Sequence, residues 1–312
     1  MKEIGISEVD GFSVGHCVDA AQATGCTVIL CPEGAAASSY SPGFAPGSHE
    51  LEALRPTALV DRINGLLFSG GSAYGLGAVT GVVEYLREQG KGFDTGGIKV
   101  PIVPAAVIYD YPQNRSQGRL PDAKMGYDAA KWANNEPLLS GPYGAGVSAA
   151  AGKLGGLSLE SPSGIGVSGV QLDSGLQLAV LAVVNPSGSV IDIETGKIVS
   201  GLRKKDGTLA GKDDILNYLS QLEANNFPAN RGATVLIAVA TNSPLNKVGA
   251  YRLARMAACG IARAIYPAHL LFDGDIVLAL SSGKGPVVSP NYLGAMGAEL
   301  VAKAIVNSVP GA

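Results

Sequence analysis

An α/β protein whose sheets are covered by helices is the fold class that this 312-residue sequence predicts. Strand-length apolar runs alternate along the chain with segments of helical periodicity, the pattern of mixed layers packed on one another. Those runs show little polar alternation, so their strands are expected to be buried on both faces. With 43 glycines and only 16% charged residues, the chain also favours close backbone approach and has little polar surface to spare.

The elements follow in order. Cys26 to Leu30 reads as a short buried strand, followed by a loop rich in glycine, serine and proline to about Ser48. Ile63 to Ser69 is a second apolar strand, ended by Gly70-Gly71. Ser72 then precedes a helical pattern through Arg87, stopped by Gly90. Val100 to Tyr109, punctuated by Pro101 and Pro104, is extended, and Lys124 to Asn134 is helical. A run of glycine, alanine and serine fills Gly141 to Gly156, and strands follow at about Leu176–Val184 and Ser189–Asp192.

Lys197 to Arg231 is the most charged and least apolar region, a surface connection with a helix at Asp213–Ala224. After an apolar strand from Thr234 comes Ser243-Pro244, a cap and first-turn proline that start a helix. That helix should reach about Ala264, because Leu253, Met256, Ala257, Gly260 and Ile261 share a face. Ile276 to Leu280 is a strand and Tyr292 to Val306 a closing helix. No repeat is evident, and the length fits one large domain or two intimate ones.

Bulk charge and cysteine usage narrow the function. A net charge of −3 argues against nucleic acid or an anionic membrane as partner. The segment Met1 to Asp10 lacks the apolar core of a signal peptide, and the apolar runs are too short to span a bilayer. Cys17, Cys26, Cys31 and Cys259 form no Cys-x-x-Cys pair, and His16 beside Cys17 is poor ligand spacing, so no metal site is expected. Together these features predict a cytoplasmic protein.

Three motifs fail on context. Gly164-Ile-Gly166-Val-Ser-Gly169 spells a dinucleotide fingerprint but precedes a strand rather than a helix. Gly146 to Lys153 has five residues between its glycines rather than the four of a phosphate loop, and Leu154 replaces the hydroxyl that would hold magnesium. Ser69-Gly70-Gly71-Ser72-Ala73-Tyr74-Gly75 sits where a nucleophile elbow would but lacks its spacing. No cofactor is expected.

Thr234 carries more. It ends the polar, turn-rich stretch Glu223–Ala233 and begins the apolar run to Asn242. Such a threonine can be a self-processing nucleophile, since cutting the bond before it frees an α-amine to act as its base. Equally, a β-branched residue is ordinary at a strand start.

Several stretches decide between those readings: Thr24-Gly-Cys-Thr27, Phe68-Ser-Gly-Gly-Ser-Ala-Tyr-Gly-Leu76, Pro101 to Asp110, Gly144 to Lys153, Asn185-Pro-Ser-Gly188, Val239-Ala-Thr-Asn-Ser-Pro-Leu245 and Phe272-Asp-Gly-Asp275. In that order they resemble the β-peptidyl aminopeptidase family, also called L-aminopeptidase/D-esterase (peptidase family S58), which includes nylon-oligomer endohydrolases. The resemblance covers nearly the whole chain. It implies a four-layer αββα sandwich like that of N-terminal-nucleophile hydrolases, a single domain over residues 1–312. It also implies self-cleavage at Ala233-Thr234 into chains 1–233 and 234–312, with Thr234 as nucleophile. The family's catalytic lysine falls on Lys153, its asparagine on Asn185, and its paired acids on Asp273 and Asp275.

In that scheme Lys153 lowers the pKa of the freed amine by like-charge repulsion. Asn185 donates to the oxyanion, and an acid holds the ammonium or the threonine. Each has an ordinary alternative: a loop charge, a strand-end turn residue, and an Asp-Gly-Asp turn. Ala233, Val235 and His49 depart from the residues usual in the family. The implied activity is amide hydrolysis on small peptides, β-peptides or D-amino-acid amides and esters. Endo-hydrolysis of 6-aminohexanoate (nylon) oligomers is the close alternative, and acyl transfer of the ornithine acetyltransferase type or a scaffold without processing are the others. Low charge and family resemblance together predict a homo-oligomer, a tetramer of processed protomers.

Overall fold

Ten strands join into one hydrogen-bonded sheet in a computed structural model that describes residues 1–21, 23–110, 120–224 and 232–311. They are β1 (Lys2–Glu3), β2 (Ser13–Asp19), β3 (Thr24–Tyr40), β4 (Ser48–His49), β5 (Arg62–Ser69), β6 (Ala105–Val107), β7 (Ile165–Gln171), β8 (Gln177–Asn185), β9 (Thr234–Thr241) and β10 (Ile276–Ser281). Their order is β1-β7-β8-β9-β10-β3-β5-β6-β4, with β2 also on β3. The β9/β10 and β5/β6 pairs are parallel and the rest antiparallel.

The sheet supplies both β layers of an αββα sandwich, as three cores show. Side chains on successive residues of a strand point to opposite faces, and here they alternate between cores. Ile29, Leu66 and Phe68 of one half meet Leu181, Leu236 and Leu278 of the other in an inter-layer core. Val28 and Leu67 turn the other way, onto Val82 and Leu86 of helix α1 (Val79–Glu88) and Met125 and Ala129 of α2 (Ala123–Lys131). Val180, Ile237 and Val277 pack on three later helices, α4 (Lys247–Ala257), α5 (Cys259–Ala264) and α6 (Pro290–Asn307). Helix α3 (Lys212–Ala224) packs separately, with Ile215 and Leu222 against Leu154 and Leu202.

The joint between layers is β3. It pairs with β2 through residues 24–30 and with β10 through 36–40, along the same edge in succession. Its register with β5 shifts between Leu30 and Ala35. Val28 faces the α1–α2 core, whereas Tyr40 packs against the core beneath α4–α6. The strand therefore runs ten residues past the expected end at Leu30. The run Ala35-Ala-Ala-Ser-Ser39 reads as loop by composition, but small side chains are what this crowded crossing admits. The later helix starts at an Asn246 cap, which accepts from the Gly249 N–H at 2.9 Å, rather than at Ser243-Pro244. It breaks at Ala258 between α4 and α5. The expected surface connection is described only as far as Ala224; residues 225–231 lie outside the described residues.

Candidate active site

Strand β9 begins at Thr234, and all eight of its residues are buried. Thr234 lies opposite Asn185, the last residue of β8, in antiparallel register. Directly opposed residues share a face. Because Leu236 and Val183 point into the inter-layer core, Thr234 and Asn185 point to that side too, at its rim. Thr234 is only 4% exposed.

On the other flank, the Asp273-Gly274-Asp275 turn leads into β10, and Ala233 bridges to Asp273. The Ala233 carbonyl oxygen accepts two hydrogen bonds, from the Thr234 hydroxyl at 2.6 Å and from the Gly274 N–H at 2.8 Å. The carbonyl of the expected scissile bond is thus held by the expected nucleophile and by a backbone donor.

The two acids brace this arrangement. Asp275 accepts from the Val235 N–H at 2.8 Å, and its other oxygen meets His269 Nδ1 at 2.7 Å. Asp273 accepts from Ser187 Oγ at 2.7 Å and from the Leu270 N–H at 2.8 Å. Burial, with the Asp275 charge beside it, pushes Asp273 above the usual carboxylate range, and the Ser187 and Leu270 donors offset this in part. The partners of both acids in the uncleaved chain are these groups rather than an ammonium.

Lys153 enters from the loop after Gly152, whose φ of +81° and closeness to Leu202 leave no room for a Cβ. Its Nζ donates to the Tyr109 carbonyl at 3.0 Å, and Asn185 Nδ2 donates to the same oxygen at 3.1 Å. Asn185 Oδ1 accepts from the Ala150 N–H at 3.2 Å. Lys153 is 5% exposed. Removal from water lowers its pKa from 10.5 to about 8, against the pull of Glu160, Asp110 and Asp273. The neighbouring Asp110 is fully buried and accepts from the Gly71 N–H at 2.7 Å and Ser148 Oγ at 2.5 Å. Burial raises its pKa, and those two donors and the Lys153 charge oppose the rise.

All five residues expected at the site therefore gather around the head of β9. Asn185 differs in detail: its amide bonds Tyr109 and Ala150, while the Ala233 carbonyl takes its donors from elsewhere. Val235 turns into the helix-side core, which explains an apolar residue there. His49 is exposed on edge strand β4. Sequence reasoning missed Asp110, Ser187 and His269, although the first two stand in stretches already singled out. It also missed the Tyr109 carbonyl and the Gly274 N–H, which as backbone groups leave no side-chain signal. Among the described residues no cluster of His, Cys, Asp and Glu could hold a metal, and no helix is long and apolar enough to cross a membrane.

The profile of Peptidase family S58 matches residues 5–312. An uncharacterized aminopeptidase of Mycobacterium tuberculosis is 37% identical over 291 residues, covering 89% of this chain and 81% of the relative. A 6-aminohexanoate-oligomer endohydrolase of Kocuria sp. is 30% identical over 311 residues, covering 96% and 84%. In fold, the chain is similar to a Burkholderia sp. β-aminopeptidase (TM-score 0.69, 20% identity, 97% and 85% covered). It is equally similar to the L-aminopeptidase D-Ala-esterase/amidase of Ochrobactrum anthropi, described as a variant of the Ntn-hydrolase fold (TM-score 0.69, 16% identity, 97% and 85% covered).

Proposed function

The chain belongs to peptidase family S58 and is a peptide- or amide-bond hydrolase, and we propose that its nucleophile is Thr234, freed by cleavage of its own Ala233–Thr234 bond. One observation carries this reading: the Thr234 hydroxyl lies 2.6 Å from the carbonyl oxygen of that bond. Attack by Oγ on the Ala233 carbonyl carbon forms an ester as the C–N bond breaks. The hydroxyl proton ends on the departing nitrogen, which becomes the α-amine of Thr234. Water then splits the ester, releasing the Ala233 carboxylate and restoring the hydroxyl.

In the mature enzyme the new amine, with a reference pKa of about 7.7–8.0, takes the hydroxyl proton during substrate attack. The buried Lys153 ammonium keeps that amine neutral by repulsion. Asn185 orients Lys153 through the Tyr109 carbonyl they share. Asp275 fixes the strand head through the Val235 N–H, and Asp273 anchors the turn.

The substrate class we assign is the amino-terminal residue of small peptides, β-peptides or amino-acid amides. The greater identity to aminopeptidases than to oligoamide endohydrolases supports it. We further assign a cytoplasmic location and a tetramer of processed protomers. Intact mass and N-terminal sequencing test the maturation: fragments 1–233 and 234–312 are expected together, and an active preparation of full-length chain alone refutes the free-amine mechanism. Turnover of D-alanyl and β-alanyl p-nitroanilides, measured beside 6-aminohexanoate oligomers and with an added amine acceptor, separates aminopeptidase, endohydrolase and acyltransferase.

A further inference from the structure

The geometry points to the backbone N–H of Gly274 as the oxyanion donor, first for chain cleavage and then for the acyl carbonyl of each substrate. This rests on Thr234 being the nucleophile. When Oγ adds to the Ala233 carbonyl carbon, the π pair moves onto the carbonyl oxygen, and the Gly274 N–H already donates to that oxygen at 2.8 Å. A useful oxyanion donor lies about 2.7–3.1 Å from the charge that develops. Collapse returns the pair to the carbonyl as the C–N bond breaks.

The donor is fixed before reaction. The Asp273 carbonyl, which belongs to the same peptide group, accepts from the Phe44 N–H at 2.8 Å and the Ala45 N–H at 3.0 Å. Asp273 and Asp275 are held by four further hydrogen bonds on either side. Glycine is required here for space: a Cβ would lie 2.5 Å from the Ala45 oxygen and 2.9 Å from Thr234 Oγ1. The Asn185 amide, the donor expected from the sequence, is engaged with the Tyr109 carbonyl. After cleavage the Ala233 carbonyl departs, and the N–H is left aimed at the place where Thr234 Oγ must next form a tetrahedral centre. One donor thereby serves both reactions.

Two measurements test it. Replacing Gly274 by glycolate, through translation with the hydroxy acid, turns the N–H into an ester oxygen and adds no bulk. Cleavage at 233/234, followed by intact mass so that scission of the new ester is distinguished, should slow by roughly 10²–10³-fold. A rate equal to that of the parent overturns the proposal. Thr234→Ala run in parallel separates the two levels: if that variant still cleaves, the nucleophile assignment fails instead.

Should the glycolate chain not fold, nuclear magnetic resonance on unaltered Gly274 decides. The sequence has three Asp–Gly steps, at 10–11, 206–207 and 273–274, so labelling aspartate carbonyls and glycine nitrogens leaves three signals. The Gly274 proton should be exchange-protected in the uncleaved Thr234→Ala chain, lose protection in the mature enzyme, and shift downfield with a β-alanine-derived aldehyde bound. A signal unchanged across the three states overturns the proposal.

Discussion

Lys153→Met should make the protein more stable while stopping it from maturing. The buried ammonium has its pKa lowered from 10.5 to about 8. At 1.36 kcal/mol per pH unit, burying the charged form near pH 7 costs the fold about 3 kcal/mol. Methionine keeps the length and removes the charge. The Tyr109 carbonyl is not orphaned, because Asn185 Nδ2 still donates to it. Asp110 loses a countercharge, which offsets part of the benefit, so a net gain of about 1–3 kcal/mol is expected.

The sign with pH is distinctive. Between about 8 and 10.5 the unfolded chain holds the lysine proton and the folded chain does not, so the parent grows more stable as pH rises through that window. The advantage of the methionine variant should therefore fade from pH 8 upward and vanish above about 10.5. Urea unfolding followed by circular dichroism at pH 7, 8, 9 and 10, with both chains in a Thr234→Ala background so that each is a single chain, measures it. A methionine variant less stable at pH 7, by an amount that does not change with pH, would refute the reasoning.

Other expectations are simpler to test. Thr234→Ala should stay a single chain by intact mass and show no amidase activity. Asp275→Ala removes the acceptor of the Val235 N–H and the partner of His269, and should slow maturation at least about tenfold, since a lost charged hydrogen bond is worth about 1.5–3 kcal/mol; maturation at the parent's rate, followed on gels, would return Asp275 to a turn residue. Asp110→Asn keeps an acceptor for the Gly71 N–H but removes the charge that supports the Lys153 ammonium, so the alkaline limb of the pH–rate profile should move to lower pH. Light scattering at micromolar concentration should give the mass of four processed protomers, and an active monomer would trace the low charge to internal packing alone.

Most of the architecture was legible because the strands carry uninterrupted apolar runs, Leu236 to Ala240 and Leu178 to Val184 among them, and the helices a clear periodicity. The path of β3 was not. Whether Ala35 to Ser39 form a loop or a buried strand is decided by β5 and β10 on either side, which no local window contains. At the site, the side chains expected from motif order, Thr234, Lys153, Asn185, Asp273 and Asp275, do converge. What they do to each other was hidden, because much of it passes through main-chain atoms. The Tyr109 carbonyl joins Lys153 to Asn185, and the Gly274 N–H meets the Ala233 carbonyl oxygen. Composition is silent about such links.

The position of β9 and β10 within the sheet gives the proposed cut a lasting effect on the molecule's history. The 234–312 segment lies between β8 and β3, with eight paired residues on one side and five on the other. Before cleavage, every unfolded chain carries both halves of its own core, and refolding depends on no concentration. Afterwards the halves are separate molecules, and any excursion that unfolds them lets them diffuse apart, so recovery becomes second order. Dilution, harmless to the precursor, then acts as a denaturant of the mature enzyme. Maturation by the proposed cut would be a ratchet that works only if the fold is complete before the bond is broken.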